Sequence, residues 1–318
     1  MKAAILEKIG NIVVSDIPEP EIKQEEVLIK VKFCGICGTD IKLFKGEYSA
    51  KVPVILGHEF SGEIVKVGKE VKNFRIGDRV VVDPNESCGK CFWCKIGKTT
   101  FCNYISAYGV FKNGGFAEYV VCNEKAVYKI PDGLDLKQAI FTEPISCAVH
   151  CLDKAEIKTG EIVAIIGAGT MGQIITQMVK NSGASEIIVI SRSEWKLNFA
   201  KRFGATYTIK SDTIKQVKEE ISKITNGLFC DVVIEAVGSP ETVEESFSLV
   251  RKGGRIVIFG FSPEGQTTKF IPFDFLSREI TLISSWVNPY TFQRALEILK
   301  SKKINVEALI YKEIKLDD

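Results

Sequence analysis

The chain carries almost no net charge: across its 318 residues, 42 lysines and arginines face 40 aspartates and glutamates, for a formal charge of +2. Without a positive field, and without a basic run to make a local one, a phosphodiester backbone has little to attract it, so nucleic acid is excluded as an expected partner. Long hydrophobic runs are absent too. No apolar stretch reaches the roughly twenty residues that a membrane-spanning helix needs, and the N-terminus, Met1-Lys2-Ala3-Ala4-Ile5-Leu6-Glu7, is too short and too soon charged for a signal peptide. No membrane partner is expected, and the expected location is cytoplasmic. Internal repeats and low-complexity linkers are also missing, which excludes a repeat array. The length suffices for two domains with full cores.

Cysteine is not scarce: there are ten. In a small secreted chain that number would point to disulfides, but here four of them crowd into one stretch of a large chain, which suits reduced thiolates holding metal better. Cys88, Cys91, Cys94 and Cys102 follow the spacing C-x2-C-x2-C-x7-C. Four thiolates with no open position make a closed, structural zinc site. An iron–sulfur cluster is the rival, but the ferredoxin run ends with three residues and then Cys-Pro, whereas here the last gap is seven and Asn103 follows. Zinc is favoured. Cys34, Cys122, Cys147, Cys151 and Cys230 stand alone in apolar surroundings and read as small buried hydrophobes.

Two patterns divide the chain. Up to about Val149, short β-type runs alternate with turns: Ala3–Leu6, Ile12–Val14, Val27–Val31, Ile64–Val67, Val80–Val82 and Tyr119–Val121. From about Leu152 to Trp286, apolar strands at 162–166, 187–190, 232–236, 255–259 and 280–284 alternate with helical segments, which implies a parallel, doubly wound α/β sheet. Beyond it, Phe292 to Lys300 is expected as an amphipathic helix and Leu309 to Leu316 as a further strand.

The strand Ile162–Ile166 runs straight into Gly167-Ala168-Gly169-Thr170-Met171-Gly172, a G-x-G-x-x-G followed by a helical pattern. Gly167 allows a tight turn, Gly169 lets a pyrophosphate approach the backbone, and Gly172 lets the helix pack on the strand. Phosphates would then sit on the unpaired N–H groups of the helix N-terminus. Folds that bind NAD place a carboxylate about twenty residues further on, at the end of the second strand, to accept the ribose 2′-hydroxyl hydrogen. Here that strand ends in Ser191-Arg192 with no carboxylate. A hydroxyl and a guanidinium suit a 2′-phosphate, so NADP(H) is expected; NAD(H), with Arg192 merely stacked on adenine, is the alternative.

A second set of polar residues is scattered: Cys37 within Gly-Ile-Cys-Gly-Thr-Asp, His58 and Glu59 within Gly-His-Glu-Phe-Ser-Gly, and Glu143 before Pro144. Dispersed ligands of mixed type suit an open, catalytic metal site, yet each has a plain structural reading as well, and spacing alone does not join them. The whole ordered set, with Asn113-Gly114-Gly115-Phe116-Ala117-Glu118-Tyr119 and the glycine turn, resembles the zinc-dependent medium-chain alcohol dehydrogenases, and the Glu143-Pro144 segment resembles their sorbitol and polyol branch. Phe44-Lys45-Gly46-Glu47-Tyr48 and the stretch Ser284-Ser285-Trp286-Val287-Asn288-Pro289-Tyr290 are similar to dehydrogenases of pentitol and hexitol phosphates.

The resemblance implies a GroES-like β-rich catalytic domain at 1–149 and 287–318 with one catalytic and one structural zinc, and a Rossmann domain at 150–286. It implies that Cys37, His58 and a carboxylate hold the catalytic zinc, with Glu59 and Glu143 both near the metal and either one the direct ligand. Asp40 would orient His58, and Thr39 would carry away the alcohol proton, its plain reading being a turn hydroxyl. Zinc as Lewis acid would lower the pKa of the alcohol, so that hydride passes to the nicotinamide. The short-alcohol branch relays the proton to a histidine; here that position holds Lys42 and the only histidines are His58 and His150, so the proton would leave through ribose hydroxyls and water. Lys42 reads as a solvated lysine or a ligand for a substrate phosphate. Lys196, Val237, Gly238, Phe259, Gly260 and Ser284 are expected to line the cofactor. The implied activity is a dehydrogenase of a polyol or polyol phosphate. The alternatives are an NAD-dependent threonine- or sorbitol-type dehydrogenase, a zinc-free reductase and a non-catalytic zinc and NADP(H)-binding redox sensor. A homo-oligomer, dimer or tetramer, is implied, with 280–286 as its candidate edge strand. The family's C-terminal part runs on by a helix and a strand, which this chain is expected to lack.

Overall fold

In the computed structural model, which describes residues 1–318, the β-branched runs of the first part pair into three sheets. Its strands are β1 (Lys2–Lys8), β2 (Asn11–Asp16), β3 (Glu26–Gly35), β4 (Val54–Ile55), β5 (Glu59–Val67), β6 (Arg79–Val82), β7 (Asn85–Glu86), β8 (Ser106–Ala107), β9 (Tyr119–Asn123) and β10 (Val127–Lys129). They order as β10-β6-β5-β3-β9, β2-β1-β4 and β7-β8. All these pairings are antiparallel. The five-stranded sheet buries Val27, Ile29, Phe60, Ile64, Val80, Val82 and Val120 in one cluster, and that packing fixes its register because a one-residue slip would turn this set outward.

The second part builds β11 (Ile162–Ile166), β12 (Glu186–Ser191), β13 (Tyr207–Lys210), β14 (Cys230–Glu235), β15 (Val250–Ile258) and β16 (Thr281–Ser284). They form one sheet in the order β13-β12-β11-β14-β15-β16, every neighbouring pair parallel. Central strands of such a sheet are covered on both faces, which is why Ile162–Ile166 is apolar without alternation. The crossover helices are amphipathic: in Ile214–Ile224 the buried residues are Val217 and Ile221, one turn apart.

The chain divides into two units, Met1–Ser146 with Asn288–Lys302 and Val306–Asp318, and Cys147–Val287 with Lys303–Asn305. It passes from the first to the second inside the helix Thr142–Ala155. The short return at 303–305 was not anticipated; the Asn305 N–H donates to Gln177 Oε1 at 2.7 Å, which ties it to the second unit. The helix Phe292–Lys300 forms as expected, burying Phe292, Ala295, Leu296 and Leu299.

The strand expected from Leu309 to Leu316 does not form. A 3-10 turn covers Glu307–Leu309 and the rest makes no ladder. The apolar side chains that suggested a strand have no sheet to bury them, Tyr311 being 96% exposed and Ile314 51%, and the segment is held by surface ion pairs of Glu313 with Lys137 and Asp317 with Lys2. β13, the edge strand beside β12, escaped the sequence reading because only four residues form it and two, Tyr207 and Lys210, are exposed.

Candidate active site and cofactor turn

Sheet register unites residues that sequence spacing could not. β3 and β5 pair so that Gly35 faces Glu59 and Cys34 faces Phe60. Cys37, just past the end of β3, therefore comes beside His58, just before the start of β5. A sulfur of Cys37, a ring nitrogen of His58 and a carboxylate oxygen of Glu59 all lie within 4.8 Å of one another. Soft, borderline and hard donors converging in this way suit zinc.

Cys37 caps the helix Gly38–Lys45, and Asp40 at its third position closes the cap by accepting from the Cys37 N–H at 2.8 Å. The other Asp40 oxygen accepts from the Gly57 N–H at 3.3 Å and stands 3.4 Å from His58 Nδ1, off the line of a hydrogen bond. Asp40 thus ties together both segments that carry ligands. Burial pushes the Cys37 thiol up, although His58 opposes it. Burial alone would lower His58, but Asp40 and Cys37 outweigh it and hold the imidazole well above its usual range. Burial, with the charges of Glu143 and Asp40 added and His58 opposing, raises Glu59 to about 7. These are donors that a cation at their centre would relieve, because it favours their deprotonated forms.

Glu143 lies outside that 4.8 Å cluster. It is buried in the first turn of the helix Thr142–Ala155, and its charge reaches both Cys37 and Glu59. Thr39 Oγ1 is 3.7 Å from the Cys37 sulfur.

The four clustered cysteines form a site of their own. Sulfur separations are 3.6 Å for Cys91 to Cys94, 3.8 Å for Cys91 to Cys102 and 4.0 Å for Cys88 to Cys94. A tetrahedron of thiolates at zinc–sulfur distances of about 2.3 Å has edges of about 3.8 Å, so the spacing fits zinc. Backbone N–H groups of Cys88 and Tyr104 donate to the Cys102 sulfur at 3.3 Å. Hydrogen bonds, first that from the backbone of Cys94, bring Cys91 down to about 6. All ten cysteines are free thiols. Of the five lone ones, Cys122, Cys151 and Cys230 are buried as expected, whereas Cys34 and Cys147 are partly exposed.

In the second unit the glycine turn shows its reasons. A methyl group on Gly172 would lie 1.9 Å from the Gly167 carbonyl oxygen, and Gly167 itself has φ +107°. Around Gly169, by contrast, space is open. Gly169 caps the helix Thr170–Lys180 without any side chain on its N–H groups, which leaves them for phosphate oxygens. Thr170 is exposed and Met171 half-buried beside it. At the end of β12, Arg192 is exposed and the Ser191 hydroxyl accepts from the Ser193 N–H at 3.3 Å. Lys196 Nζ lies over the Trp195 ring, 5.4 Å from its centre. Val237, Gly238, Phe259, Gly260 and Ser284 sit at or just past the C-terminal ends of β14, β15 and β16, where ligands bind in open α/β sheets.

Comparison with known proteins agrees with both halves. Residues 23–132 match the family described as alcohol dehydrogenase GroES-like domain, and residues 170–301 match zinc-binding dehydrogenase. D-arabinitol dehydrogenase 1 of Uromyces fabae is 35% identical over 322 residues, spanning 100% of this chain and 91% of that one. Sorbitol dehydrogenase of Halalkalibacterium halodurans is 34% identical, spanning 97% and 90%. The chain belongs to the zinc-type medium-chain alcohol dehydrogenases, in their polyol branch. D-arabitol-phosphate dehydrogenase of Enterococcus avium is 35% identical, with 95% and 87% covered. Among solved structures, a zinc-binding dehydrogenase of Sinorhizobium meliloti 1021 bound to NADP superposes with a TM-score of 0.95 at 38% identity, covering 99% of this chain and 93% of that one. A short chain alcohol dehydrogenase (rspB) of Escherichia coli CFT073, complexed with NADH, gives 0.90 at 32% identity over 96% and 89%. The cofactors of this medium-chain dehydrogenase are zinc and a nicotinamide dinucleotide. No helix in it is long and apolar enough to cross a membrane.

Four polar residues of this dehydrogenase, Gln173, Asn288, Asp83 and Glu235, were given no role from the sequence. Gln173 donates to the carbonyls of Ala168 and Lys196 at 3.1 and 2.8 Å, bracing the glycine turn. Asn288 donates to Asp83 at 3.3 Å and accepts from Asn85 at 2.7 Å, fastening the chain's return to the first unit. Burial, aided by the charge of Glu143, lifts Asp83 to about 7 against the hydrogen bonds from Asn85 and Asn288. Glu235 ends β14 fully buried. An acid closing the apolar run Val232-Val233-Ile234 was the one available signal for it.

Proposed function

We propose that this dehydrogenase oxidises a secondary alcohol of a polyol or polyol phosphate, and reduces the matching ketone, with NADP(H) as its preferred cofactor. The convergence of Cys37, His58 and Glu59 donors within 4.8 Å carries the reading. The relatives named for arabinitol, sorbitol and arabitol phosphate supply the substrate class. We read the first unit, at 1–149 and 287–318, as the catalytic domain with two zincs, one held by Cys37, His58 and Glu59 or Glu143, the other by Cys88, Cys91, Cys94 and Cys102. Residues 150–286 are the dinucleotide domain, with Gly167 to Gly172 on the pyrophosphate, Ser191, Arg192 and Lys196 on the adenosine side, and Val237, Gly238, Phe259, Gly260 and Ser284 along the rest.

A zinc ion held by Cys37, His58 and a carboxylate would supply Lewis acidity that lowers the pKa of the substrate hydroxyl. Thr39 accepts the departing proton. With Lys42 where a relay histidine would stand, the proton would leave the Thr39 hydroxyl towards solvent. Asp40 holds the His58 segment and the Cys37 cap at one spacing, as ligand-supporting carboxylates do. Ser191 and Arg192 favour a 2′-phosphate, and the relative bound to NADP supports that choice while the one bound to NADH names the competing outcome. We further read β16, at the edge of the six-stranded sheet, as the seam of a homo-oligomer.

The test is a panel of polyols and polyol phosphates with both cofactors, on wild type and His58→Ala. Turnover of a polyol, lost in His58→Ala while dinucleotide binding stays near normal, supports the reading. Dinucleotide binding with no turnover on any member of the panel refutes it in favour of a redox sensor.

A further inference from the structure

Glu235 is the feature of the second unit that folding alone explains least. Its side chain is 0% exposed. One carboxylate oxygen, Oε1, accepts from the N–H groups of Val237 and Gly238 at 2.8 and 2.9 Å and from the Thr242 hydroxyl at 2.8 Å. The other, Oε2, is buried with no hydrogen-bond partner. Burying an acid costs free energy unless both oxygens are satisfied, and a half-satisfied one in the centre of a sheet calls for a reason other than stability.

Its surroundings supply the reason. The Glu235 backbone carbonyl accepts from the N–H groups of Phe259 and Gly260 at 2.9 and 2.8 Å. Oε2 is aimed at Gly260: a methyl group there would lie 2.7 Å from it and 2.1 Å from the Gly238 nitrogen. One residue therefore fixes the turn after β14 through its side chain and the turn after β15 through its backbone, and it holds the two in contact. The strand order reverses direction between β11 and β14. A dinucleotide lies across that switch point, one mononucleotide on each half. The glycine turn and Ser191-Arg192 belong to β11 and β12, on the adenosine half, so the turns that Glu235 fixes belong to the nicotinamide half.

We propose that Glu235 is a positioning residue for the nicotinamide half of the cofactor, shaping the wall on which that half rests without touching it. The proposal rests on the cofactor reading above. Glu235→Gln keeps an acceptor for the three donors but sets an amide N–H2 against Gly260 or turns it onto the donors, and either moves one turn against the other. In the zinc-loaded enzyme, NADPH binding by fluorescence should weaken about tenfold, the effect of a disturbed hydrogen bond to a charged group. Binding of 2′,5′-ADP, which carries only the adenosine half, should hold, as should the KM for the alcohol. Thr242→Val leaves the carboxylate in place and removes one donor; it should give a smaller loss, about threefold, with the same selectivity for the whole dinucleotide, and it carries the test if Glu235→Gln does not fold. Equal weakening of NADPH and 2′,5′-ADP overturns the proposal, since a merely structural residue would loosen both. Unchanged NADPH binding in both variants overturns it as well. Failure of the wild type to bind either NADPH or NADH is distinguishable from these, because it removes the cofactor reading itself and the proposal with it.

Discussion

Arg192 stands exposed where NAD-binding folds carry a carboxylate, and no carboxylate follows the end of β12 before Glu194. Both cofactors share every contact except those at the ribose 2′ position, so preference must come from groups near it. Replacing Ser191 by Asp and Arg192 by Ala removes a charge-assisted contact worth roughly 1.5–3 kcal/mol and adds repulsion to phosphate. The expected result is a shift of about ten- to a hundredfold in the ratio of kcat/KM for NADP+ over that for NAD+, towards NAD+. A wild type that already prefers NAD+ refutes the assignment at once. Lys196, lying over Trp195, sits close enough in sequence to blunt the shift without reversing its sign. Thr39 is the other residue whose role one substitution isolates. Thr39→Val keeps the helix cap of Cys37 and Asp40, so zinc content should be unchanged, while kcat falls about a hundredfold as expected for a lost proton-transfer group. The deficit should be greatest at low pH, where the alcohol proton leaves least readily; equal rates across pH would make the hydroxyl a turn residue only. The chemistry expected of these residues can be read from the sequence, because it depends on side-chain type at a known distance from a motif. Glu235 was not, because its role is set by which two turns meet, and those lie twenty residues apart.

At the level of elements, legibility follows locality. The four-cysteine lobe spans Cys88 to Cys102, and its spacing alone foretold sulfur separations near those of a tetrahedron, since a short loop has few ways to arrange them. Cys94→Ser should therefore lose one zinc per chain, measured by metal analysis, and lower Tm, because the binding free energy of a closed site is folding free energy. Iron in place of zinc, or a full complement of zinc in Cys94→Ser, would sink that assignment. Cys37, His58 and Glu59 had no such signature: they meet only because β3 and β5 pair with Gly35 opposite Glu59, and register between strands some thirty residues apart is not written in spacing. The glycine turn is an intermediate case. Its pattern is local, but the physical requirement appears only in space, where the helix passes so close that a Gly172 methyl would meet the Gly167 oxygen at 1.9 Å. Gly172→Ala should cost about 1–3 kcal/mol by overpacking, seen in denaturant unfolding, and reduce dinucleotide affinity with it. The failed strand at Leu309 to Leu316 shows the converse. An alternating pattern is necessary for a half-buried strand, but only a neighbouring edge makes it one.

For the whole molecule, the sheet order leaves β13 and β16 at the edges of the dinucleotide unit, each with one ladder partner. Such an edge displays unpaired N–H and C=O groups and is normally covered or blunted. β13 ends in Lys210, which is ion-paired with Asp212. β16 has no such charge: Thr281, Leu282, Ile283 and Ser284 are uncharged, and Leu282 is 42% exposed. The helix Pro272–Ser277, which leads towards it, exposes Phe273 at 78% and Leu276 at 74%. Apolar surface gathered in one segment beside an open edge is uncommon in a monomer and common at a subunit seam. Two copies meeting at β16 through a two-fold axis would place each edge antiparallel to its mate and satisfy the same groups on both, since a two-fold interface uses one patch twice. Light scattering of the purified enzyme should then give at least a dimer. Leu276→Asp with Leu282→Asp puts a charge on the helix and on the strand of that seam, and should shift the mass to that of one chain while zinc content holds and dinucleotide binding remains measurable. A wild type that is monomeric at micromolar concentration, or a double variant of unchanged mass, would place the seam elsewhere or remove it.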